Sequence, residues 1–140
     1  MGFLTNLNEN AFFSVVKELL NAHYNLKLKE YKGSAPLQPD LWDENSRTIV
    51  EFKRDINISD FDLFNSSFSI SDTLVNEYNP QVIIIVLLKS LSQQDKESIV
   101  THYKFSKPSS VYILDIYALE DLANRYPIVI SKYEAEITQW

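Results

Sequence analysis

The chain has 140 residues, 45 % of them hydrophobic and 13 % aromatic, enough to fold as one compact domain over residues 1–140 with a real core. It contains no cysteine, which excludes a disulfide framework, a thiolate zinc site and a cysteine nucleophile. A net charge of −6 and a pI near 4.8 do not attract a polyanion over long range, which weighs against nucleic-acid binding through a basic surface unless a bound metal or a partner supplies the charge.

The opening Met1-Gly2-Phe3-Leu4-Thr5 lacks the basic segment and apolar run of a secretion signal. The longest apolar run, Val82 to Leu88, is too short to span a bilayer. A cytoplasmic protein with no membrane partner is therefore expected. Asn8 to Ala22 reads as the first helix, with Phe12, Phe13, Val15, Val16, Leu19 and Leu20 at helical spacing and Asn8 as its N-cap. Leu26 to Tyr31 alternates apolar and polar residues as a half-exposed strand does, and Lys32-Gly33-Ser34-Ala35-Pro36 follows as a loop. Leu37 to Trp42 and Arg47 to Lys53 read as two strands joined by a turn at Asp43-Glu44-Asn45-Ser46. Asp60 to Tyr78 is a weakly patterned helix, Val82 to Leu88 a central strand and Ser92 to Tyr103 a helix. Val111 to Tyr117 reads as a strand, Leu119 to Arg125 as a helix stopped before Pro127, and Ile128 to Trp140 fits either type. This order predicts an α/β fold with a mixed central sheet flanked by helices.

Chemistry concentrates in the predicted hairpin. Asp40 sits on one strand and Glu51 and Lys53 on the next, two apart and so on one side of that strand. Two carboxylates can hold a hard divalent cation, and a lysine beside them can reach a phosphate. A Glu-x-Lys pair alone is ordinarily just the solvent face of a hairpin. Gln38-Pro39-Asp40 alone also suits a turn, which the apolar Leu41-Trp42 after it and the more natural turn at Asp43 to Ser46 disfavour. The two together, behind a helix, make the pattern Pro39-Asp40 … Glu51-Phe52-Lys53.

With these residues the chain resembles the PD-(D/E)XK nucleases, the restriction-endonuclease-like superfamily, which includes Holliday-junction resolvases. The resemblance implies an αβββαβ core, matching the predicted order from Asn8 to about Leu88. It also implies a Mg²⁺-dependent DNA endonuclease, with Mn²⁺ able to substitute, serving restriction and defence or DNA repair and recombination. Asp40, Glu51 and the carbonyl of Phe52 would bind the metal. Lys53 would position the attacking water and steady charge on the phosphate. A first-helix glutamate often joins the metal in this family, directly or through water. Glu9 lies on the inward stripe with Phe12, Phe13 and Val16, whereas Glu18 falls on the polar side, so Glu9 is the candidate. A helix-start carboxylate favoured by the macrodipole is an equal account of Glu9. The same resemblance admits an alternative, a catalytically inactive module that binds protein or nucleic acid in a larger complex; the acidic charge favours it and the intact Asp40, Glu51 and Lys53 oppose it.

Lys27, Lys29, Lys32 and Arg54 fit phosphate contacts or a solvated strand face equally well. His23 and His102 are isolated, so a histidine metal site has little support, and no Gly-rich phosphate loop is present. DNA is the expected substrate. A homodimer fits, since cutting both strands needs two sites, and Val111 to Tyr117 reads either as its interface or as core. The end at Thr138-Gln139-Trp140 carries no stop signal. The chain is thus readable as the catalytic fragment of a larger protein, with DNA affinity supplied by an added DNA-binding or ATPase domain or subunit.

Overall fold

A computed structural model of the protein describes residues 4, 7–30, 40–53, 79–87, 90–97 and 110–133, with Glu9 and Lys53 by backbone only. It shows an α/β fold: a five-stranded mixed sheet with flanking helices. Helix α1 spans Glu9–Tyr24 and begins where the sequence predicts, because the Asn8 side chain accepts the Ala11 N–H at 2.8 Å. It runs two residues past the predicted end and stops at Asn25, whose φ of 55° is a left-handed cap that asparagine tolerates. The Asn21 side chain then accepts the Leu28 N–H at 2.8 Å and turns the chain toward the sheet.

The strands are β1 (Lys29–Glu30), β2 (Leu41–Asp43), β3 (Thr48–Lys53), β4 (Val82–Leu87) and β5 (Ser110–Leu114), ordered β1-β2-β3-β4-β5. The first three are antiparallel neighbours, and β3, β4 and β5 run parallel. The hairpin turn falls on residues 44–47, one later than predicted, with Asp43 still in β2. Asp43 organises that turn: its carboxylate accepts from the Asn45 N–H at 3.3 Å and the Ser46 hydroxyl at 2.7 Å. Residues 93–97 are helical, inside the predicted Ser92 to Tyr103 segment; the predicted helix over residues 60–78 lies outside the described residues.

Near the C-terminus the structure corrects the sequence expectation. The predicted strand Val111 to Tyr117 ends at Leu114, and Asp115 caps α2 (Ile116–Arg125), accepting the Ala118 N–H at 3.0 Å. Leu114 and Ile116 pack on the core, while Tyr112 and Tyr117 are exposed. Helix α3 (Pro127–Ser131) starts on proline, whose fixed φ suits a first helical turn.

Alternation sorts the sheet into two faces. Leu41, Val50, Ile84 and Val86 meet Val15, Val16, Leu19 and Leu20 of α1 and Leu119 and Leu122 of α2 in one core. Ile49, Ile83, Ile85 and Leu87 point to the other face and are also buried, so the parallel strands are covered on both sides. No helix among the described residues is long and apolar enough to cross a membrane.

Helix α3 is tied to α1 through Glu18, which accepts from the Tyr133 hydroxyl and pairs with Lys132 Nζ at 2.9 Å. Burial raises the pKa of this carboxyl, but the bonds from Tyr133 and Lys132 outweigh it and hold the value below the ordinary 4.5. Folding thus lowers the pKa, so the stabilisation is present above about pH 4.5 and is lost as pH falls through the folded value. Glu18→Gln is expected to lower stability at neutral pH by about 1 kcal/mol. Its urea midpoint should converge with that of the natural chain in acid, where Glu18 is itself uncharged.

Candidate active site

The candidate site lies where the antiparallel hairpin meets the carboxyl end of the parallel strands, the end at which open α/β sheets commonly take ligands. Pairing in the hairpin runs Asp43↔Thr48, Trp42↔Ile49 and Leu41↔Val50. Asp40 immediately precedes the paired stretch of β2, and Glu51 immediately follows Val50 on β3. The Phe52 N–H donates to Asp40 Oδ2 at 2.8 Å, so the Asp40 carboxylate closes the hairpin where the β2 backbone leaves the sheet. In a strand the N–H and C=O of one residue point to the same edge, so the Phe52 carbonyl is directed to the Asp40 side as well. Asp40 and Glu51 are both half-buried. The fully buried Ile49 precedes Glu51 by two positions, and the equally buried Ile85 is its partner on β4. The carboxylates therefore mark the place where an apolar sheet face gives way to a polar end.

Lys53 closes β3 two positions after Glu51, opposite Leu87; where its side chain reaches lies outside the described residues. The same holds for Glu9, whose backbone opens α1. Its helix is brought to this end of the sheet by aromatic contacts: Phe13 stacks on Phe52 with ring centroids 4.4 Å apart, and Phe12 meets Phe52 edge-on at 6.1 Å. Those contacts are on the face carrying Val50 and Phe52. Glu51 alternates to the opposite face, so membership of the inward stripe does not itself bring Glu9 to the carboxylate pair. Glu18 is committed elsewhere, to Lys132 and Tyr133.

Phe52 thus holds the helix with its ring and Asp40 with its backbone. A double-mutant cycle on Phe13→Leu and Phe52→Leu is expected to give a coupling of about 1 kcal/mol in urea unfolding, the magnitude of a well-oriented aromatic pair.

Carboxylates and a backbone carbonyl are the kind of oxygen donors that suit a hard cation such as Mg²⁺. Among the described residues no group of three or more His, Asp or Glu side chains is placed to hold a metal. His23 is engaged with the Tyr126 hydroxyl, Nδ1 to Oη at 3.1 Å, and packs edge-on to Tyr24. Lys32, Ser34, Arg54 and His102 lie outside the described residues.

A second acidic position at the carboxyl end of the sheet was not singled out from sequence. Asp115 is buried, accepts the Leu91 N–H at 3.1 Å and the Ala118 N–H at 3.0 Å, and pairs with Lys96 Nζ at 3.2 Å. Burial raises its pKa, but these three donors outweigh it and hold the carboxyl below its ordinary 3.8. An N-cap signal was available, an aspartate directly before Ile116, Leu119, Leu122 and Ala123 at helical spacing. Its satisfied bonds make it a structural anchor. Set beside known proteins, the chain is matched by no family model, no curated protein and no solved structure.

Proposed function

We propose that the protein is a Mg²⁺-dependent DNA endonuclease of the PD-(D/E)XK type, built on a restriction-endonuclease-like core and acting in restriction and defence or in DNA repair and recombination. The observation that carries this is the 2.8 Å bond from the Phe52 N–H to Asp40 Oδ2. It draws Asp40 to the backbone of the residue lying between Glu51 and Lys53, which supports the reading that these residues act at one strand end.

In this proposal Asp40, Glu51 and the Phe52 carbonyl hold Mg²⁺, or Mn²⁺ in its place, with Glu9 joining directly or through water. Bound there, the cation supplies Lewis-acid polarisation of the phosphodiester and a more acidic water. The chain's own part is placement and electrostatics. The Phe52 N–H orients Asp40 without consuming its charge, since a carboxylate accepts at several lone pairs. The buried Ile49 and Ile85 lower the local dielectric, which strengthens charge interactions at the half-buried pair. In this proposal Lys53 serves by steadying negative charge on the phosphate.

A second reading, a non-enzymatic module of the same fold that binds protein or nucleic acid, is favoured by the net charge of −6. The Asp40–Phe52 bond would serve there as a hairpin closure alone. Incubation with supercoiled, linear and branched DNA in Mg²⁺ or Mn²⁺ separates the two. Metal-dependent cleavage lost in Asp40→Asn and Lys53→Ala is the result expected of the nuclease. Cleavage surviving both substitutions would remove the site, and no cleavage together with no metal binding by calorimetry would leave the module.

A further inference from the structure

We infer that the cleft between β1 and the turn end of β2, on the hairpin that also carries Asp40 and Glu51, takes an unpaired nucleotide of a nucleic-acid strand, its base on Trp42 and its flanking phosphates on Lys27 and Lys29; the inference rests on the nuclease reading for which bond is cut, but not for binding.

The cleft measures about 390 Å³ and is lined by Lys27, Lys29, Glu30, Trp42, Asp43, Glu44 and Asn45. Lys29 pairs across the strands with Trp42 and so shares its sheet face, and Lys27, two residues before β1 begins, lines the same cleft. Asp40 is two residues before Trp42, where the chain enters β2, at most roughly 7 Å away along the backbone. A strand with its phosphodiester at Asp40 and Glu51 therefore passes its next nucleotide over the indole ring.

Charge and size select the ligand. The lining holds three carboxylates against two ammonium groups, and the whole chain is acidic, so a duplex gripped through many phosphates finds no counterpart here. A stacked base needs an aromatic face and few phosphate contacts. The carboxylates do not all oppose it: Asp43 is buried and turned into its own loop, bound by the Asn45 N–H and the Ser46 hydroxyl. Exposed Glu44 and Asn45 supply an acceptor and an amide at the rim, the groups that read base edges. At about 390 Å³ the cleft lies at the small end of ligand sites, adequate for one nucleotide.

Binding is read in EDTA, where no bond is cut, from the fluorescence of Trp42 in the Trp140→Phe chain, which leaves it the single tryptophan. A short oligothymidylate is expected to quench it to saturation, and a duplex of equal length to require at least about tenfold more. With two phosphate contacts the log–log salt slope should be about −1.4, falling toward zero in Lys27→Ala/Lys29→Ala, two exposed positions whose loss spares the core. By anisotropy of labelled oligonucleotide, Trp42→Leu should bind about ten- to a hundredfold more weakly and Trp42→Phe nearly as well as the natural chain. Equal competition by oligouridylate also supports the cleft. Absent quenching, a duplex that binds equally well, or affinity unmoved by the lysine pair would overturn it. Binding retained without cleavage in Mg²⁺ fails the nuclease reading alone; cleavage retained without binding fails the cleft alone.

Discussion

Under the proposed nuclease function, Asp40→Asn is expected to leave the fold standing and to lower Mg²⁺-dependent cleavage by at least about a hundredfold, the scale on which one preorganised electrostatic contact is lost. The asparagine carbonyl still accepts the Phe52 N–H that Asp40 Oδ2 now accepts at 2.8 Å, so the hairpin remains closed. What disappears is one of the two carboxylate charges. Asp40→Ala removes the acceptor as well and leaves the Phe52 N–H without it, which costs about 1–3 kcal/mol where the group stays out of water. The two variants therefore separate chemistry from architecture: both lose cleavage, and only alanine lowers the urea midpoint appreciably. Plasmid nicking rates measured beside urea unfolding decide it. An Asp40→Asn chain that cuts at the natural rate would strike Asp40 from the site, whatever the alanine variant does.

The largest loss of stability from a polar substitution is expected at Asp115. Its carboxylate is only 2 % exposed and holds three donors from three places: Ala118 in the first turn of α2, Leu91 ahead of the 93–97 helix, and Lys96 within it. Asp115→Ala loses the helix cap, about 1 kcal/mol, leaves the Leu91 N–H without its acceptor and removes the ion pair to the part-exposed Lys96, so a total of about 2–3 kcal/mol follows. Asp115→Asn keeps an acceptor for Ala118 but not the ion pair, and should fall between the two. The carboxyl pKa is lowered on folding, so this contribution is complete above about pH 3.8 and is lost as pH falls through the folded value. Urea unfolding at neutral and acid pH checks both statements. A midpoint unchanged in Asp115→Ala would show that the three bonds are replaced by water at no cost.

The hairpin that carries Asp40 and Glu51 was legible because turn residues and strand alternation act over a few positions. Asp43 to Ser46 announce the reversal, and the one-residue delay of the turn arises from Asp43 folding its side chain onto Asn45 and Ser46 while its backbone stays in β2. The end of β5 was less legible. Val111, Ile113 and Ile116 read as one apolar run, and the helical spacing from Ile116 onward competes with it until Asp115 accepts the Ala118 N–H. Nothing near Asp115 in the chain announces Lys96 as its partner.

Residue order was thus sufficient for α1 with its Asn8 cap, for the buried β4 and for the meeting of Asp40 with the Glu51 strand, since helical period, apolar runs and turn chemistry are complete within one segment. The sheet order, the parallel seating of β3 on β4 and the side of the sheet to which each group belongs came from contacts between distant segments. Those contacts set Phe52 against α1 and Glu51 away from it, gave Glu18 to Lys132 and Tyr133, and brought Lys27 and Lys29 beside Trp42. Their energies depend on which surfaces meet, and a single segment does not contain its partner.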